Sequence, residues 1–124
     1  MNKLLRGIRG AITIDENSKE LIVEASEELL SKMIDMNRLN ITDIASIFFT
    51  TTKDLNAEYP AVAARNKGLL NVALLCTHEM EIPQGLSKCL RILIHVNTEQ
   101  GYNDLKHVYL KGAKVLRPDL LGSN

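Results

Sequence analysis

Residues 89–96 read Cys-Leu-Arg-Ile-Leu-Ile-His-Val, a stretch that is expected to be buried. An aliphatic residue stands at every second position from Leu90 to Val96, which is the pattern of a β-strand with one buried face. Arg91 therefore points to the opposite face, together with Leu93 and His95. Desolvating a guanidinium on such a strand costs free energy unless an anion meets it. The pattern leaves open whether that anion is a glutamate of the chain or a bound ligand.

Other segments of the chain also have the features of β-strands. The predicted strands span residues 5–14, 47–52, 69–76 and 87–97. Residues 69–76 are mostly apolar, which predicts a central strand. Residues 105–110 fit either a further strand or a short helix. Gly7 and Gly10 interrupt the first strand and mark a bulge or a place where other atoms approach the backbone closely.

Two segments have helical features. An apolar stripe predicts a first helix from about Asn17 to Asn37, and Asn17 with Glu20 resembles a capping box at its start. Pro60 and Gly68 mark the start and the end of a shorter second helix. The expected fold class is α/β in the broad sense, and more narrowly of the α+β type. It consists of a mixed sheet with two helices on one side. All 124 residues are expected to form a single domain, with a loose tail after about residue 119.

Composition and charge argue against several classes of protein. Lys and Arg number 15, as do Asp and Glu, so the formal net charge is zero and nothing indicates a nucleic-acid partner. The two cysteines make neither a disulfide framework nor a metal site. No window is apolar enough to span a membrane, and arginines interrupt any signal core at the N-terminus. We therefore expect a cytoplasmic protein with free thiols that binds no metal, cofactor, nucleic acid or membrane.

Three arginines adjoin strand-like apolar sequence, namely Arg9, Arg91 and Arg117. Each alone is more often part of a structural ion pair than a ligand contact. Several such cations in a small neutral domain nevertheless favour a dianionic ligand. Each charge-assisted hydrogen bond is worth about 1.5–3 kcal/mol, so two or three would hold a dicarboxylate. Tyr109 is either a further donor to that ligand or a half-buried structural tyrosine.

A second group of polar residues follows the apolar run. Residues 76–79, Cys-Thr-His-Glu, lie where the predicted strand ends, and α/β sheets tend to bind ligands at strand ends. Glu79 either accepts a hydrogen bond from a substrate hydroxyl or neutralises Arg91. His78 fits a solvent-facing residue better than a general base. Its spacing from Cys76 does not establish a thiol nucleophile.

Motifs for common catalytic groups are absent from the sequence. It contains no glycine-rich phosphate loop, no GxSxG and no HExxH. An enzyme with the residues described above has no evident nucleophile, metal or cofactor. Its expected chemistry is a rearrangement assisted by positioning and by electrostatic stabilisation.

Six short segments carry a family resemblance. They are residues 6–13 (RGIRGAIT), 54–61 (DLNAEYPA), 63–65 (AAR), Cys76 with 79–80 (EM), 107–110 (HVYL) and 115–120 (VLRPDL). Together they resemble AroH-class, monofunctional chorismate mutases over nearly the whole chain. The resemblance implies a homotrimer, a pseudo-α/β-barrel, with active sites between subunits. It also implies the conversion of chorismate to prephenate on the route to Phe and Tyr, a [3,3]-sigmatropic rearrangement without covalent catalysis.

The resemblance implies roles for individual residues. Arg91 would face the ether oxygen that gains negative charge as its bond breaks. Arg9 and Tyr109 would engage a carboxylate, and Glu79 with Cys76 would meet the ring hydroxyl. Further substrate-binding positions would form apolar walls, the strand end and the entrance: Tyr59, Ala61, Arg65, Leu74, Leu75, Thr77, His78, Leu116 and Arg117.

The sequence leaves two other interpretations open. A small trimer with the same arginines could bind a carboxylate metabolite between its subunits without mutase activity. Alternatively, Arg91 pairs with Glu79 inside a purely structural interaction domain, in which case Arg91→Ala should unfold the protein. The chain also departs from the family pattern at Tyr59, which is often Phe, and at Leu75, which replaces a Thr seen in some members.

Overall fold

A computed structural model describes residues 2–116 of the chain. Its strands and helices, in chain order, are β1 (Leu4–Thr13), α1 (Lys19–Met36), β2 (Ile44–Thr51), α2 (Ala61–Asn66), β3 (Ala73–His78), β4 (Cys89–Thr98) and β5 (Val108–Leu110). Two 3₁₀ turns, Ile41–Asp43 and Lys111–Leu116, complete the fold. No helix in the described part of the chain is both long and apolar enough to cross a membrane. The predicted tail after about residue 119 lies outside the described residues.

The five strands form one mixed sheet in the order β3-β2-β4-β1-β5. The middle strand, β4, is antiparallel to both of its neighbours, β1 and β2, while the outer pairs β2–β3 and β1–β5 are parallel. The alternation in β4 is confirmed, since Leu90, Ile92, Ile94 and Val96 are each at most 2% exposed. The mixed sheet and the two helices confirm the expected fold class.

The two faces of this sheet have different surroundings. One face, called the covered face here, packs against both helices in a continuous core that includes Ile12, Ile92 and Leu29. The other, called the open face, carries the alternate residues, among them Arg9, Arg91 and Tyr109. The 3₁₀ turn Lys111–Leu116 crosses part of the open face and buries Ala113 against Ala11 and Cys89. Strand alternation therefore separates the structural core from the arginines.

Gly10 allows helix α1 to approach the sheet closely. A Cβ atom at this position would lie 2.5 Å from Met33 Sδ and 3.0 Å from Leu29 Cδ1. This confirms that the glycine marks a close approach. Gly68 has a φ of 87° just after α2, a left-handed conformation that glycine adopts readily, and this agrees with its predicted place at the helix end.

The predicted cap of α1 was wrong by one residue. Ser18 is the N-cap, and its Oγ accepts a hydrogen bond from the Leu21 N–H at 3.2 Å. Asn17 instead binds the loop before α2, because its Oδ1 accepts hydrogen bonds from the backbone N–H groups of Asn56 and Ala57. Two adjacent residues that can both cap a helix cannot be distinguished by sequence pattern alone.

The predicted central strand over residues 69–76 was also wrong in bounds and in place. Strand β3 begins at Ala73 and ends at His78, and it lies at the edge of the sheet beside β2. Leu69 is buried, but its N–H donates to the Ala64 carbonyl at the end of α2. Leu69 at the end of α2 and apolar residues of the edge strand β3 therefore both pack into the core. Hydrophobic periodicity alone does not distinguish these two kinds of segment.

Candidate active site

Four predicted catalytic residues come together on the open face. Strand β1 places Ala11 opposite both Arg91 on β4 and Tyr109 on β5, and Arg9 lies two residues along the same face. Glu79, just after β3, lines the same cavity of about 480 Å³, called the Arg91 cavity here. Other residues that line it are Phe48, Thr50, Leu93 and Leu116. The sheet therefore brings two cations, a carboxylate and a phenol to one concave surface.

Arg91 and Glu79 form an ion pair in the Arg91 cavity. Arg91 Nε lies 3.0 Å from Glu79 Oε2, and the two side chains are 44% and 30% exposed. Glu79 is fixed by its backbone, since its N–H donates to the Thr51 carbonyl at 2.8 Å. Arg91 is thus less buried than its apolar strand implies, because neither helix covers the open face. A guanidinium in this setting can meet a ligand while it stays paired.

A second group of predicted site residues lies at the edge of the sheet. Tyr59, Cys76, Thr77 and His78 line a cavity of about 350 Å³, called the Tyr59 cavity here. His78 Nδ1 lies 3.3 Å from Thr51 Oγ1. These four residues and the four around Arg91 thus line two separate cavities of a single chain.

The direction of alternate side chains on β3 divides the predicted residues further. Leu74 and Cys76 pack against the core of the covered face. Leu75 and Thr77 pair with Phe48 and Thr50 of β2 and therefore lie on the open face. The structure consequently does not bring the Cys76 side chain to Arg91, and Leu74 is part of the core rather than of either cavity wall.

The Cys76 thiol is held in its neutral form. Burial raises the pKa of Cys76 above its ordinary value and outweighs a hydrogen bond from the Ala61 backbone and the charge of Arg65, which act in the opposite direction. Since the thiolate is the nucleophilic form of cysteine, this environment argues against a cysteine nucleophile.

The remaining predicted positions differ in how exposed they are. Tyr59 and Leu75 are 68% and 55% exposed, so both are available as wall residues for a ligand or a second chain. Ala61 is buried at the start of α2, whereas Arg65 is exposed on the same helix. Arg117 lies outside the described residues.

Two residues near the site were missed by the sequence reasoning. Thr50 is the β2 partner of Arg91, and within residues 2–116 its buried Oγ1 has no hydrogen-bond partner. Alternation along β2 could have placed it on the open face. His107 Nδ1 accepts a hydrogen bond from the Arg9 backbone N–H at 3.0 Å. No local pattern predicts this contact, because the two residues are 98 positions apart.

Comparison with known proteins adds to this geometry. The family described as chorismate mutase type I matches residues 5–120. The chain belongs to this family. It is similar to chorismate mutase AroH of Thermus thermophilus, with 42% identity over 118 residues that cover 94% of this chain and 97% of that protein. The corresponding protein of Bacillus subtilis (strain 168) is 38% identical over 118 residues, covering 94% and 93%.

A solved chorismate mutase structure has the same fold. The chorismate mutase from Clostridium thermocellum matches the chain with a TM-score of 0.87 and 49% identity, covering 89% of this chain and 98% of that one. The family resemblance is therefore confirmed. As a type I chorismate mutase, the protein is an isomerase that rearranges chorismate to prephenate, and aromatic amino acid biosynthesis follows from the family. Nothing in these comparisons supports a binding module without mutase activity.

Proposed function

We propose that Arg91 stabilises the transition state of the rearrangement of chorismate to prephenate. The observation that carries this proposal is its position in the Arg91 cavity, where Glu79 pairs with Nε and the side chain remains 44% exposed. The terminal nitrogens of a guanidinium carry four further N–H donors. These donors are suited to an oxygen that gains negative charge.

The reaction is unimolecular and transfers no proton. One ether C–O bond breaks while a C–C bond forms, and negative charge develops on the ether oxygen in the transition state. A guanidinium already fixed at that oxygen binds the transition state more tightly than the substrate, which is the condition for acceleration. The remaining acceleration comes from holding the flexible substrate in its compact reactive conformation.

The neighbouring residues supply the other contacts in this proposal. Arg9 and Tyr109 engage a substrate carboxylate, and Glu79 accepts a hydrogen bond from the ring hydroxyl. Supporting this, all three line the cavity that contains Arg91. The roles of Arg65 and Arg117 are to attract the dianionic substrate, as steering by charge does in other enzymes.

We propose that a second copy of the chain completes each site in a homotrimer. The Arg91 cavity and the Tyr59 cavity are separate in one chain, yet the family resemblance assigns residues of both to one site. In a closed ring, the Tyr59 cavity of one chain would lie beside the Arg91 cavity of the next. The exposed Tyr59 and Leu75 side chains are suited to such an interface.

We also propose that the protein acts in the cytoplasm. Cys76 and Cys89 are both free cysteines, and a reducing compartment keeps thiols in this form. Separate fractionation of cytoplasm, membrane and extracellular medium, with detection of the protein in each, tests this location. Recovery outside the cytoplasmic fraction would contradict it.

The substitution Arg91→Lys tests the catalytic proposal. We expect the variant to keep its fold and charge but to lose at least about 10²-fold in kcat, because one ammonium cannot reproduce the fork of a guanidinium. The measurement is the rate of chorismate disappearance and of prephenate formation. Arg38→Lys is the matched control, since Arg38 is exposed and lines neither cavity.

Two outcomes of this assay would contradict the proposal at different levels. If the unsubstituted protein did not accelerate the reaction over buffer, the activity itself would be wrong. If the protein were active and Arg91→Lys were equally active, the assignment of Arg91 to the ether oxygen would be wrong.

A further inference from the structure

His107 connects the edge strand of the sheet to the backbone of Arg9. Its Nδ1 accepts a hydrogen bond from the Arg9 N–H at 3.0 Å. Strand β5 first pairs with β1 at Val108, opposite Gly10, so His107 precedes the first pair of this parallel ladder. The imidazole therefore takes the place that a backbone carbonyl would have if the ladder were one residue longer.

This contact fixes the part of β1 from which the Arg9 side chain leaves the backbone. Arg9 lies on the open face and lines the Arg91 cavity. Tyr109, two residues after His107, lines the same cavity and pairs with Ala11. A bond that holds the start of β5 against Arg9 therefore sets the relative position of two groups in the cavity.

We propose that His107 is a positioning residue that orients Arg9 for the substrate carboxylate through this backbone hydrogen bond. The inference rests on the proposed role of Arg9 in binding that carboxylate. His107 does not itself line the Arg91 cavity. It acts through Arg9, and nothing in the family assignment gives it this role.

The hydrogen bond requires a neutral imidazole, because a protonated Nδ1 is a donor and cannot accept. Burial lowers the pKa of His107 below the ordinary value of 6.5 and so keeps the ring neutral near pH 7. Ionisable residues on the adjacent elements are Arg9 on β1 and His95 on β4, the strand on the other side of β1. Lys106 and Tyr109 lie on the same segment as His107.

Two substitutions separate the acceptor from the bulk of the ring. His107→Asn keeps an acceptor oxygen close to the place of Nδ1 at every pH, whereas His107→Leu keeps the volume and removes the acceptor. We expect His107→Leu to raise KM for chorismate about tenfold with little change in kcat. The carboxylate that Arg9 contacts takes no part in the bond changes, so a weaker contact destabilises the bound substrate and the transition state equally. His107→Asn should have nearly the KM of the unsubstituted protein.

The pH dependence provides a readout that a purely structural role would not change. As pH falls through the lowered pKa of His107, the unsubstituted protein should lose the acceptor and its KM should rise. His107→Asn should lack this rise because its amide does not titrate. The same rise of KM in His107→Asn would overturn the proposal, and this test remains valid even if His107→Leu does not fold.

A double-mutant cycle with Arg9→Ala tests whether His107 acts through Arg9. In the Arg9→Ala background, His107→Leu should leave KM unchanged, because the side chain that it positions is gone. An equal rise of KM in both backgrounds would overturn the proposal. If Arg9→Ala raises KM and His107→Leu does not, only the positioning role is wrong. If Arg9→Ala itself leaves KM unchanged, the proposed function of Arg9 is wrong, and the positioning role with it.

Discussion

The two faces of the sheet are built by the same strands but have different tasks. On the covered face, Ile12 and Ile92 are buried against the helices of their own chain. Arg91 and Leu93 directly precede and follow Ile92 in the sequence, lie on the open face and are partly exposed. The residues of the covered face therefore stabilise the single chain. The residues of the open face remain available to a ligand and, in our proposal, to another copy of the chain.

The adjacent residues Ile92 and Leu93 allow the largest test of this difference. Ile92→Ala should lower the free energy of unfolding by about 2–5 kcal/mol, because it leaves a cavity in the covered core. Leu93→Ala should act mainly on association, so its effect should depend on protein concentration. Urea unfolding of both variants at several protein concentrations is the measurement. Equal losses that do not change with concentration would show that the two faces do not differ in this way.

A smaller effect is expected when the ion pair of the open face is removed. Arg91→Ala should change the free energy of unfolding by at most about 1 kcal/mol, because the pair with Glu79 is partly exposed. Lys3→Ala is a matched control, since Lys3 forms a comparably exposed pair with Asp43 at 2.9 Å. Thermal or urea unfolding compares the two variants. Unfolding of Arg91→Ala under native conditions would support the structural interaction domain instead.

Sequence reasoning succeeded where one local rule determined the outcome. The period of two in β4 correctly placed Leu90 and Ile92 on one face and Arg91 on the other. Gly10 and Gly68 were also interpreted correctly, because a glycine inside a strand pattern marks a close approach and a glycine just after a helix marks its left-handed end. Arg9, Glu79 and Tyr109 were candidates from the residues alone, and the family resemblance assigned their roles. The structure places them in one cavity with Arg91.

The predictions that failed depended on tertiary contacts. An apolar run could not reveal that β3 begins only at Ala73 and lies at the sheet edge, since helix ends also bury leucines such as Leu69. The sequence alone also could not show that the Leu74 and Cys76 side chains face the covered core, whereas Leu75 and Thr77 lie on the open face. The bond between His107 and Arg9 could not be predicted because it joins distant parts of the chain. Each of these facts depends on which strands are neighbours.

In the proposed homotrimer, each site joins the Arg91 cavity of one chain to the Tyr59 cavity of the next. Two inactive variants test it when they are mixed. Arg91→Ala removes the cation, and Tyr59→Glu places a carboxylate on an exposed wall residue, where it repels a dianionic substrate. In a ring of three with heterologous contacts, every mixed trimer contains one site with neither defect.

The decisive measurement is the chorismate mutase activity of the two variants after they are unfolded and refolded together in equal amounts. Random assembly predicts that about a quarter of the activity of the unsubstituted protein returns, although each variant refolded alone stays inactive. If every site belonged to a single chain, the mixture would be as inactive as its components. That result, obtained with trimers shown to contain both variants, would show that the sites are not shared between chains.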